Sequence, residues 1–191
     1  MRLFLYNLGF LLPFFFAGAG LCVFVQFLLW KFKVKRKREA ARENLIYRLW
    51  ITLFCGYLLA LLAALFHDGV DSGKVNLIPF LQIADYFTLI GPKTGQFVVY
   101  FFGNVFCFTP LAFMMPIVFP RLKWGYSILI CACSSVLAEL IQHFLMRYSD
   151  IDDVILNTLG ALIGAILFAL VRRRNPELVR RWQGKTKKIP K

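Results

Sequence analysis

The chain has 191 residues, 59% of them hydrophobic and 17% aromatic, with a mean hydropathy of +0.65. A composition this apolar excludes a soluble core of ordinary make-up, and the length leaves no room for a second, soluble domain beside a membrane bundle. A formal charge of +13 would point to nucleic acid in a soluble protein, but no base-reading motif accompanies it and the placement of the 23 Lys and Arg residues gives it another meaning.

Uncharged stretches cover residues 3–30, 49–66, 94–120, 124–138 and 154–171. Crossing ~30 Å of hydrocarbon takes roughly 20 helical residues. The fourth stretch reaches that length only by running past Glu139 to about residue 145, which carries polar groups into its last turns. The sequence therefore predicts an all-α polytopic bundle of five transmembrane helices. Of the basic residues, 8 lie in 31–48, 2 in 120–125 and 9 in 172–191, leaving Arg2, Lys74, Lys93 and Arg147 on the other connections. This alternation places the N-terminus outside and the C-terminus inside under the positive-inside rule.

The first span, about 4–30, carries Pro13, expected to kink it, and a small-residue patch at 18–20 suited to close helix approach. Only Arg2 precedes this run, which is about twice a signal-peptide core, so it reads as a retained helix. Residues 31–48 form a basic linker that should hold anionic headgroups at about 1 kcal/mol per Lys or Arg near the surface. The second span, 49–66, ends at His67-Asp68-Gly69. In the loop that follows, Pro79 can open a short helix through residue 89, with Phe80, Ile83, Ala84, Phe87 and Ile90 on one face and Gln82, Asp85 and Tyr86 on the other. Such a helix lies in the interface or dips into the outer leaflet; an ordinary loop with an apolar stripe is the alternative.

The third span, 96–119, contains Gly103-Asn104, Thr109-Pro110 and Pro116, with Asn104 ~10 Å below the outer boundary at ~1.5 Å per residue. The fourth runs from 126 to about 145 and the fifth from 154 to 171, where Gly160 and Gly164 have the spacing of tight helix packing. The basic tail carries Trp182, expected to anchor at the interface. Cys22, Cys55, Cys107, Cys131 and Cys133 all fall in apolar runs without C-x-x-C spacing, and read as small hydrophobes.

Glu139, Gln142 and His143 stand at i, i+3 and i+4, on one face of the fourth helix. Asn157 lies four residues beyond Asp153 on the fifth. Three helices thus bring Glu139, Asn157 and Asn104 to one depth, with Arg147, Asp150, Asp152 and Asp153 at the mouth of a cavity. Of the adjacent Asp152 and Asp153, one is expected to face inward and cap the helix, the other to face solvent. A carboxylate at that depth costs at least ~2.5 kcal/mol unless paired or hydrated, so it should face the bundle or a wet hollow.

In their order and spacing, Asn76-Leu-Ile-Pro-Phe80, Gly103-Asn104 with Pro110 downstream, Glu139 with Gln142, and Arg147 through Asp150, Asp153, Asn157 and Gly160 to Gly164 resemble the VanZ-like membrane proteins. The resemblance covers about 48–171, a four-helix membrane domain, and leaves outside it the first helix with its linker (1–47) and the basic cytoplasmic tail (172–191). Met146 and Ala112 stand where the family pattern leads one to expect Gly. The resemblance implies a multi-pass protein of the bacterial cytoplasmic membrane, in a family whose name-giving member is linked to low-level teicoplanin resistance. It does not by itself supply a reaction.

Two functional readings and a structural one follow. In the first, an outer-leaflet site binds or modifies lipid headgroups or lipid-linked envelope material, with Glu139 and Asp153 as acid–base candidates. Its ligand-binding candidates are Asn76, Asn104, Gln142, His143, Arg147 as a phosphate clamp, Asp150 and Asn157. In the second, the protein is a non-enzymatic envelope factor that masks a lipid-linked target or docks a partner. In the third, the polar cluster only fixes helix packing. A metal site is disfavoured because the H-E-x-x-H order is absent, and no cofactor motif occurs. A transporter is disfavoured because hydropathy shows no inverted repeat.

Overall fold

A computed structural model describes residues 2–33, 45–64, 74–88 and 94–184. The sequence expectations for His67, Asp68, Gly69, Ile90, most of the basic linker and the last residues of the tail lie outside them. Among the described residues the order is α1 (Arg2–Lys33), α2 (Leu45–Ala64), β1 (Val75–Asn76), α3 (Leu81–Thr88), α4 (Thr94–Val118), α5 (Trp124–Phe144), β2 (Ser149–Asp150), α6 (Ile151–Arg174) and α7 (Pro176–Trp182). Five of these helices, α1, α2, α4, α5 and α6, are long and apolar enough to cross a membrane.

The spans differ from the expected ones mainly at their ends. At its start, α6 gains a turn because Asp150 caps it, its side chain accepting from the Asp152 N–H at 2.8 Å, and because Asp152 and Asp153 favour the positive end of the helix dipole. Its far end takes in Arg172, Arg173 and Arg174, which favour the negative end. α2 begins at Leu45, bringing in Tyr47, whose hydroxyl donates to the Val118 carbonyl at 2.8 Å.

Packing is set by small residues and by prolines. α6 lies so close to α4 that a Cβ at Gly160 would overlap the Val105 carbonyl oxygen, and one at Gly164 the Thr109 carbonyl oxygen. The Thr109 hydroxyl, shared between the Val105 and Gly160 carbonyls at 2.9 and 3.0 Å, ties the two backbones together. Pro110 has no N–H to offer Phe106 four residues earlier, and in a membrane that carbonyl needs another donor. Tyr57 on α2 supplies one: its hydroxyl lies 3.2 Å from the Phe106 oxygen and 2.7 Å from that of Cys107. α1 packs on α2, where a Cβ at Gly56 would come within 2.7 Å of the Phe15 carbonyl and one at Gly18 within 2.9 Å of that of Cys55.

The two ends of the bundle differ. At one end lie Arg48, Arg121, Lys123 and the arginines of α6 and α7. Here Trp182, expected at the interface, is half-buried against Trp50 and Phe113, with ring centroids 5.1 and 6.2 Å away, and Val179 is buried. At the other end a feature with no sequence signature appears: β1 and β2 pair in parallel, Val75 with Ser149 and Asn76 with Asp150. This two-residue bridge joins the α2–α3 connection to the α5–α6 connection. The short helix α3 also begins later than expected. Phe80 is in the left-handed region (φ 65°) and exposed, so the helical face is rotated, with Gln82 and Ile83 half-buried and Ala84 outward.

Candidate functional site

The bridge and the ends of α4, α5 and α6 gather the acidic side chains. Glu139 is buried near the end of α5, and its Oε2 accepts from the Asp150 N–H at 2.9 Å and the Ser149 hydroxyl at 3.0 Å. The same hydroxyl lies 3.2 Å from the Glu139 carbonyl oxygen, so β2 is held to α5 at both backbone and side chain. Asp150, 2% exposed, receives Asn76 Nδ2 at 3.0 Å on the oxygen that also caps α6. Asn76 in turn accepts from the Ile78 N–H at 3.0 Å.

Two residues beyond Asp150, Asp152 is wholly buried and caps α3 from another part of the chain. One of its oxygens accepts from the Phe80 N–H, and the other from those of Gln82 and Ile83 at 2.9 and 3.1 Å. These are unpaired N–H groups of a helix start, which usually turn to a side chain just before the helix. Asp153, half-buried, accepts from Asn104 Nδ2 of α4 at 2.8 Å, with the Tyr100 hydroxyl and Glu139 close enough to act on its charge. Beneath this layer, Asn157 donates to the Ser135 hydroxyl at 2.9 Å, joining α6 to α5 one turn deeper.

The structure thus brings together Glu139, Asp150, Asp153, Asn76, Asn104 and Asn157, though not in the pattern expected. Glu139 and the two amides do not bond one another; Ser149, Asp150, Asp153 and Ser135 stand between them. Of the 152–153 pair, Asp152 is wholly buried and Asp153 half-buried, and Asp150 rather than either of them caps α6. Arg147 is half-buried and its charge reaches Glu139. Gln142 serves through its backbone, its carbonyl accepting from the N–H groups of Leu145 and Arg147. His143 is exposed, its ring 6.0 Å from that of Phe144. Ser135, Ser149 and Tyr100 were not singled out from the sequence; the available signal was spacing, since Ser135 precedes Glu139 by four residues and Tyr100 precedes Asn104 by four.

Burial pushes the Asp150 carboxyl above the ordinary carboxylate range, an effect opposed by its hydrogen bonds from Asp152 and Asn76 and reinforced by the charge of Asp152. The Tyr148 phenol is raised by burial and then by the negative charge of Asp150. Among the described residues, Asn157 Oδ1 is buried without a hydrogen-bond partner. No group of three His, Cys, Asp or Glu among those residues has a metal-holding arrangement. The chemistry on offer is that of hydrogen-bond acceptors in quantity, together with one guanidinium near Glu139.

Comparison with curated proteins and with solved structures yields no match. The family profile described as VanZ/LLP1 matches residues 49–172, from α2 into the last turn of α6, and so takes in every acidic and amide side chain of the cluster. A match over well over half of the chain, coinciding with a five-helix membrane architecture, shows that the protein belongs to the VanZ/LLP1 family.

Proposed function

We propose that this VanZ/LLP1-family protein sits in the bacterial cytoplasmic membrane with its acidic end outward, and that its polar cluster binds or modifies a lipid headgroup or lipid-linked envelope material. The observation that carries this reading is the convergence of four carboxyl and three amide side chains from β1, α4, α5, β2 and α6 at one end of the bundle. Interhelical hydrogen bonds in membranes average only ~0.6 kcal/mol, so packing alone does not require such a cluster, and ionisable groups within a membrane protein usually mark function. Asn157 Oδ1, without a partner among the described residues, supports it further, since buried acceptors ordinarily find donors. The basic residues of the opposite end fit the cytoplasmic leaflet, where they would meet anionic headgroups. Teicoplanin resistance is the expected phenotype of such an activity at lipid-linked cell-wall material.

A second reading has its own support. Both oxygens of Asp152 are committed to α3 and one oxygen of Asp150 to the start of α6, the arrangement of a clasp that fixes connections without chemistry. The two separate in a strain lacking the protein, complemented with Glu139→Gln or Asp153→Asn, in which lipid profile and teicoplanin susceptibility are followed. Glutamine keeps an acceptor for Ser149 and Asp150 while removing the acid. Loss of the phenotype with normal expression and folding supports acid–base chemistry, and full retention rules it out. A lipid profile unchanged by the deletion itself favours masking or docking.

A further inference from the structure

We infer that residues 76–84, although too short to span, are embedded in the lipid leaflet at the acidic end and rest against acyl chains. From Val75 to Ala84 the chain carries no charged side chain, while Lys74 and Asp85 bracket it. Its large apolar side chains point away from the protein: Leu77 is 74% exposed, Ile78 63% and Phe80 60%. A run of this kind in water would be a costly apolar patch. Here it continues the lipid-facing surface of the spans, since the bridge of Asn76 to Asp150 holds it beside the end of α5, where Leu140, Phe144 and Met146 are also exposed.

The backbone supplies the second and independent argument. A segment in hydrocarbon must satisfy its own polar groups, whereas a loop in water can leave them to solvent. Every N–H from Ile78 to Ala84 has a partner within the protein. That of Ile78 goes to Asn76 Oδ1, that of Phe80 to one oxygen of Asp152, and those of Gln82 and Ile83 to the other. Leu81 donates to the Ile78 carbonyl at 3.4 Å and Ala84 to that of Phe80 at 2.9 Å, while Pro79 has no N–H to satisfy. The left-handed turn at Phe80, uncommon for a bulky residue, directs that N–H to the carboxylate and its ring outward. Buried Asp152 is therefore a positioning residue: it takes up three of the N–H groups that would otherwise favour keeping the segment in water. This conclusion stands whether or not the cluster binds a headgroup.

The test uses the full chain in phosphatidylethanolamine–phosphatidylglycerol nanodiscs, where both faces are open to reagent. Leu77→Cys, Ile78→Cys and Phe80→Cys are each compared with Lys74→Cys for reaction with a membrane-impermeant maleimide, after subtracting the native cysteines, all of which lie in spanning helices. Thiols shielded by lipid should react at least ~10-fold more slowly than Lys74→Cys. In the unaltered chain, a phospholipid with a photoactivatable diazirine on its acyl chain should label residues 77–81. Labelling of the three cysteines at the Lys74→Cys rate, or acyl-chain labelling confined to the spans, would overturn the inference.

Discussion

Among the described residues two helix pairs meet through glycine, and they do not meet in the same way. Where α6 crosses α4, no side chain of any size fits at Gly160 or Gly164, and the contact is flanked by polar ties, Thr109 to the Gly160 carbonyl and Asn104 to Asp153. Where α1 meets α2, an added Cβ would also force the backbone to shift, but by less, at 2.7 and 2.9 Å from a carbonyl oxygen, and polar ties run from Gln26 to Thr52 at 3.2 Å and to the Arg48 carbonyl at 3.3 Å. The family match begins at residue 49 and leaves α1 outside. One device thus serves two ends: it locks the register of the helices that deliver the acidic cluster, and it fastens a peripheral helix to their flank.

The largest expected effect tests that distinction. Gly160→Ala places a methyl group on backbone that cannot rotate away, so α4 and α6 must separate, at the upper end of the ~1–3 kcal/mol typical of overpacking or beyond it. Thermal unfolding in detergent should show a large drop in midpoint. Gly56→Ala should cost less, and Gly20→Ala, with no atom within 4 Å of the new methyl, should be neutral or gain up to ~1 kcal/mol of helix propensity. If Gly56→Ala proves as damaging as Gly160→Ala, the two contacts are not different in kind.

A smaller effect belongs to the donor that α2 gives to α4. Tyr57→Phe leaves the Phe106 carbonyl without the partner that Pro110 denies it, and should cost between ~0.6 and ~1.7 kcal/mol by the same melting measurement. Tyr57→Phe combined with Pro110→Ala, which restores an N–H, should recover part of the loss if that carbonyl is the cause.

Smaller still is a pH effect confined to the acidic end. Because the folded-state value of Asp150 lies above its unfolded one, the protonated carboxyl favours the fold. Its contribution is fully present below the ordinary carboxylate value of about 3.9 and is lost as pH rises through the raised folded value. The melting midpoint should therefore fall with rising pH across that window, less steeply in Asp150→Asn. A wild-type slope equal to that of the variant would mean that another group is responsible.

What the sequence makes legible is what repeats with a period or a length. The five spans follow from hydropathy, and the Gly160–Gly164 spacing announces a tight crossing, though not that α4 is its partner. Asn104, Glu139 and Asn157 share a depth because helices rise uniformly. Their actual partners were hidden, because they depend on a bridge two residues long on each side, too short to have a period, and on serines that look like filler in an apolar helix. Asp152 illustrates the limit: as one of two neighbouring acids before a helix it reads as a cap for that helix, yet it caps another seventy residues earlier.

The smallest effect concerns a departure that the sequence did register. α5 ends with the Met146 N–H donating to the His143 carbonyl and the Arg147 N–H to that of Gln142, both at 3.0 Å, the paired bonds of a Schellman motif. The residue in Met146's place must adopt the left-handed conformation, and its φ is 58°. Glycine does this without strain, whereas an L side chain there costs ~1–2 kcal/mol, which explains why the family pattern leads one to expect glycine. Glycine also loses more freedom on folding, by roughly 0.5–1 kcal/mol, so Met146→Gly should stabilise by no more than about 1.5 kcal/mol. The methionine side chain is exposed and would face lipid, so its removal confounds a direct comparison with wild type. Met146→Ala removes the same contacts but keeps the strain. The difference in melting midpoint between the glycine and alanine variants isolates the backbone, and a glycine variant no more stable than the alanine one would mean that the turn into the acidic cluster is not strained at this residue.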